Sequence, residues 1–60
     1  MHPNEQQAED LKQHARHEGA RVGRLALPNN LNPYQPEDPL YAEWRRGWDL
    51  GTNELARRAA

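Results

Sequence analysis

Between Leu25 and Glu37 the chain reads LALPNNLNPYQPE, and no continuous helix can cross that stretch. Pro28, Pro33 and Pro36 each fix φ, withhold an amide donor and push the preceding residue out of the α region, while three asparagines supply turn chemistry. Whatever forms must therefore form on either side of this joint. The expected fold is all-α, two helices joined by an ordered Pro/Asn-rich linker, in a single small helical domain: a helix over about 5–24, the linker over about 25–38 and a helix over about 39–58. Leu25, Leu27, Leu31 and Tyr34 are read as apolar anchors, which a freely solvated linker would not require.

On the N-terminal side, Asn4 is placed to cap the first helix, with Gln7 as its partner in a capping box. At about 100° per residue, Ala8, Leu11, Ala15, Gly19 and Val22 fall on one narrow stripe, and Glu5, Glu9 and Lys12 lie off it. On the C-terminal side, Asp38 followed by Pro39 matches the preferred chemistry of an N-cap and a first helical position. From there Leu40, Tyr41, Trp44, Gly47, Trp48, Gly51 and Leu55 share one face, with Arg46, Asp49, Asn53 and Arg57 opposite.

Both tryptophans and both tyrosines lie within residues 34–48 of a 60-residue chain that has no phenylalanine and no cysteine. A chain this short buries only ~60% of the surface its unfolded form exposes, so the indoles of Trp44 and Trp48 are expected to turn inward and stand in for a core. Gly19 and Gly23 on one helix, and Gly47 and Gly51 on the other, each cost ~1 kcal/mol of helix propensity relative to alanine. That cost implies close packing, either around an indole or between backbones. The thin core also leaves room for a protein partner or a homo-oligomer.

Charge limits the function classes. The formal net charge is −1, so the overall cationic field of a nucleic-acid binder is missing and any RNA contact rests on local arginines. The segment from Gly19 to Pro36 is the long acid-free stretch, which makes Arg21 and Arg24 the first candidates. Arg45 and Arg58 have carboxylates four residues away, whereas Arg46 and Arg57 have no obvious partner and complete the candidate set. Tyr34 offers a ring that can stack on a base.

The polar opening MHPNEQQAED resembles no signal peptide, and no apolar run approaches the ~20 residues of a membrane span, so a cytoplasmic location is expected. Asp10, His14 and His17 share a helix sector, but without cysteine they read as surface groups, and no metal site is assigned. There is no serine, no cysteine nucleophile and no phosphate-cradling glycine loop. No catalytic residue, no cofactor and no enzymatic activity is expected.

Taken in order, EGARVGR, NPYQ and WRRGW resemble the ribosome modulation factor family. The likeness spans about Ala15 to Gly51 and is carried by Gly19, Gly23, Arg24, Pro33, Tyr34, Trp44, Gly47 and Trp48. It implies two helices with a linker, and a non-catalytic protein that binds the small ribosomal subunit or its rRNA near the messenger-exit region and silences translation in dormant ribosomes under stress. The chain departs from that pattern in its nine acidic residues, in a longer stretch between Arg24 and Pro33, and in Asn32 where a cysteine often precedes Pro-Tyr. Two other readings stand beside it: a protein-interaction module or homodimer without RNA binding, and, through short phage and plasmid relatives, an ATP-dependent fluoroquinolone-modifying enzyme.

Overall fold

The computed structural model describes residues 3–59, with side chains from Gln7 onward. Two helices, α1 (Pro3–Arg24) and α2 (Pro39–Ala59), are joined by a linker that holds one short 3-10 turn, Asn29–Leu31. The described residues contain no strand, and the architecture is all-α. α1 already includes Asn4 as a helical residue. The Asn4 side chain, and with it the expected capping box, lies outside the described residues.

The helices run parallel. Gly19 faces the backbone of Trp44 and Trp48, Gly23 that of Trp48 and Thr52, Gly47 that of Arg16, and Gly51 that of Ala20, so residue numbers rise together along both helices. A β-carbon on any of the four would fall well inside van der Waals contact distance of a facing carbonyl oxygen: Trp44 for Gly19, Trp48 for Gly23, Arg16 for Gly47 and Ala20 for Gly51. Bare backbone is the only surface that fits. The glycines thus leave room for the opposite main chain rather than for an indole, and small residues at this spacing allow helices to approach closely.

The seam has an internal near-symmetry. Residue i of α1 and residue i + 28 of α2 make equivalent contacts, Gly19 matching Gly47 and Gly23 matching Gly51. A parallel pair cannot be closed by a tight turn, and the linker returns along α2 instead. Trp48 Nε1 donates to the Leu27 carbonyl at 2.8 Å, and Asn32 Nδ2 donates to the Tyr41 carbonyl at 3.1 Å. The two helices and the linker form a slab with extents of 45 × 23 × 11 Å.

The C-terminus of α1 and the N-terminus of α2 are closed by local chemistry. Leu27 N–H bonds to Val22 O and Ala26 N–H to Gly23 O, both at 3.1 Å, with Ala26 at φ 60°, which is a Schellman closure in left-handed conformation. At the start of α2, Asp38 Oδ1 accepts the Leu40 amide at 2.9 Å, with Pro39 in the first helical turn.

Among the described residues the buried apolar side chains are Ala15 and Trp44, the latter 2% exposed. Trp48 is half-buried, its ring tied to the linker, so the two indoles do not share the inward role expected of them. Ala8 and Leu11 of the expected stripe are exposed, because α2 begins opposite the middle of α1 and leaves the first turns uncovered. The leucines expected to anchor the linker are exposed as well: Leu25, Leu27 and Leu31 present their side chains to solvent. Polar contacts to Leu27 O and from Asn32 Nδ2 hold the linker instead, and within it the Tyr34 amide donates to Asn32 Oδ1 at 3.1 Å.

Candidate nucleic-acid interface

The seam divides the molecule into two flanks. Counting about 100° per residue from Gly47, Tyr41, Trp44, Trp48 and Leu55 fall to one side of α2, and Glu43, Arg46, Leu50, Glu54 and Arg57 to the other. The first side meets the linker. The second, together with Arg16, Ala20 and Arg24 of α1, forms an open flank, and the cross-helix ion pairs mark it out. Arg16 Nη1 bonds Glu43 Oε2 at 2.6 Å, and Arg24 Nη1 lies 3.6 Å from Glu54 Oε2.

Glu43 is the enclosed member of this set, its side chain 12% exposed, and it also meets Arg46 Nη1 at 3.6 Å. Arg46, expected to be without a partner, is therefore paired one turn along its own helix. Glu54 is open to solvent and sits between Arg24 and Arg58, the latter at 3.4 Å. Among the described residues Arg57 and Arg21 make no ion pair.

The five candidate residues do not gather at one place. Arg24, Arg46 and Arg57 lie on the open flank, Arg24 and Arg57 toward its C-terminal end. Arg21 is exposed on the side of α1 turned away from the seam, as its angle from Gly19 requires. Tyr34 is half-buried in the linker, on the other flank. Sequence reasoning missed Arg16, whose place beside the seam follows only once the two helices are known to be parallel.

The parallel arrangement also separates charge by ends. Glu5, Glu9, Asp10, Glu37, Asp38 and Glu43 lie toward the helix N-termini with Lys12 the one cation among them. Four of the seven arginines, Arg21, Arg24, Arg57 and Arg58, lie in the last turns of the two helices, with Glu54 beside them, while Arg16, Arg45 and Arg46 lie nearer mid-molecule. Two aligned macrodipoles favour this distribution, since anions are stabilised at helix N-termini and cations at C-termini. A chain of nearly zero net charge thus presents one basic end. Asp10, His14 and His17 are exposed, and no group of three or more His, Asp or Glu among the described residues is placed to hold a metal.

The sequence matches the family model for ribosome modulation factor over residues 4–58, nearly the whole chain. The chain belongs to the ribosome modulation factor family. This is a family of non-enzymatic, ribosome-associated proteins that act in hibernation and the regulation of translation. No curated protein and no solved structure matches the chain at a significant level. Among the described residues there is no enclosed pocket, and no helix is long and apolar enough to cross a membrane.

Proposed function

We propose that this family member binds the small ribosomal subunit through rRNA and lowers translation, with Arg24, Arg46 and Arg57 of the open flank meeting phosphates. The observation that carries the reading is the family match over residues 4–58 together with the gathering of Arg21, Arg24, Arg57 and Arg58 in the last turns of two parallel helices. Phosphate contacts by arginine and lysine dominate nucleic-acid affinity, and it is the local density of cations, not the net charge, that a phosphate chain meets. Arg21 and Tyr34 are secondary candidates, Arg21 for its exposure at the basic end and Tyr34 for a ring that stacking could use.

Sedimentation of the tagged protein with ribosomal subunits tests the reading. Co-sedimentation with the small subunit at low salt, lost as salt rises, is the expected result. Absence from ribosome fractions of both growing and starved cells removes it.

A second reading is favoured by one observation: Leu25, Leu27 and Leu31 are exposed on an uncharged segment. On that reading the linker ridge meets a protein or a second copy of the chain. Light scattering separates the two, since a strictly monomeric protein that binds RNA in a salt-dependent way counts against it.

A further inference from the structure

We infer that Glu54 restrains Arg24 and Arg58 at the basic end and so sets how tightly this chain holds a phosphate backbone. The inference rests on the reading under Proposed function and adds to it a residue that limits affinity.

The two cross-helix carboxylates differ in kind. Glu43 is enclosed, bonded at 2.6 Å to Arg16 and flanked by Arg46, so it joins the helices. Glu54 is 46% exposed, and its two partners, Arg24 and Arg58, are 43% and 73% exposed at 3.6 and 3.4 Å. Exposed pairs of this kind add little to folding. What Glu54 does instead is electrostatic: a single carboxylate, reached by one arginine from each helix, occupies the centre of the basic end. Any phosphate arriving there must displace it from two guanidinium groups that would otherwise be free. The geometry therefore gives the wild-type chain fewer available cations than its arginine count suggests.

Asp49 supplies the control. It pairs with Arg45 at 3.9 Å and is 57% exposed, much as Glu54 is, but its position on α2 turns it away from the open flank. Glu54→Gln and Asp49→Asn change the net charge equally and free arginines on different faces.

The experiment measures retention of the full-length chain on purified small ribosomal subunits, and on a single-stranded oligouridylate, as salt is raised. Glu54→Gln is expected to bind ~3–10-fold tighter at ~50 mM salt, with a slope of log K against log salt steeper by ~0.7–1.4, the contribution of one to two additional phosphate contacts on a single strand. Asp49→Asn should change affinity less than ~2-fold. In an Arg24→Gln background the gain from Glu54→Gln should shrink, because the two residues act as one unit. Circular dichroism establishes that each variant keeps its helices.

Equal gains for Glu54→Gln and Asp49→Asn would overturn the inference, reducing it to net charge. Retention of the wild-type chain on subunits without a gain for Glu54→Gln would also overturn it, while leaving the ribosome reading intact. Failure of every protein to be retained at low salt would remove that reading, and the inference with it.

Discussion

On one flank of the glycine seam the helices are covered by the linker, and on the other they are crossed by ion pairs. The linker flank is neutral: Trp44 is buried on this side of α2, Trp48 and Asn32 donate to carbonyls, and no charged residue occurs from Leu25 to Pro36. The open flank carries Arg16, Arg24, Arg46 and Arg57 with Glu43 and Glu54 among them. Burial, on the first flank, is what this chain has least of and must concentrate. Charge can be spent on the second because little of the fold depends on most of it. Substitutions on the two flanks should therefore register in different measurements, stability for one and binding for the other.

The largest effect is expected from Trp44→Ala. Removal of a buried tryptophan costs ~3–5 kcal/mol, and a 60-residue domain has only ~3–9 kcal/mol in all. Helical circular dichroism at 25 °C should fall to that of a largely unfolded chain, and a variant that melts like the wild type would show that the linker flank is not where stability resides. Next come the glycines. Gly47→Ala gains ~1 kcal/mol of helix propensity, but its methyl group meets the Arg16 carbonyl, and overpacking against main chain costs ~1–3 kcal/mol or more. The near-symmetry sharpens the test, since Gly19→Ala meets the Trp44 carbonyl in the equivalent way and should destabilise to a similar extent in urea titration. A stabilising outcome at either position would mean that the helices do not touch there.

These positions also show what was legible in the sequence. Proline and asparagine marked the joint, and the Asp38-Pro39 pair marked the start of α2, because caps and breaks are local chemistry. The glycines announced close contact for the same reason, an otherwise unexplained loss of helix propensity at four-residue spacing. Helix direction was not legible from any residue. The signal lay in the length of the linker: antiparallel neighbours need only ~2–5 residues, and fourteen between Arg24 and Pro39 suffice to lead the chain back to the other end. Without that direction the partner of Arg16 could not be found, since Arg16 meets Glu43 from a residue separation of 27, whereas the partner of Arg46 lay three residues away on its own helix. The exposed leucines failed for a related reason. An apolar residue in a linker reads as an anchor, yet here the linker's amide and carbonyl groups make the attachment.

Glu43→Gln probes the one place where the open flank contributes to stability. Its pair with Arg16 is intermediate between exposed and enclosed, with side-chain exposures of 12% and 32%, so a loss of about 1–2 kcal/mol is expected, above the exposed range and below that of a fully buried pair. Thermal melting should show a lower midpoint for Glu43→Gln and almost no change for Glu54→Gln. Equal shifts would erase the distinction between a carboxylate that joins helices and one that restrains arginines.

The smallest effect lies outside both flanks, at Ala26, where α1 hands over to the linker. Ala26 holds φ 60°, a conformation that costs an L-residue roughly 1–2 kcal/mol and glycine almost nothing. Glycine loses more backbone freedom on folding, which offsets about half of that advantage. Ala26→Gly should therefore raise stability by ~0.5–1 kcal/mol, seen as a higher urea midpoint with an unchanged slope. The sign matters more than the size. The Schellman bonds from Leu27 and Ala26 to Val22 and Gly23 set the direction in which the linker leaves α1, and that direction brings Leu27 O within reach of the Trp48 indole. If glycine instead lowers stability, the left-handed turn does not persist in solution, and the linker must reach the neutral flank by a different path.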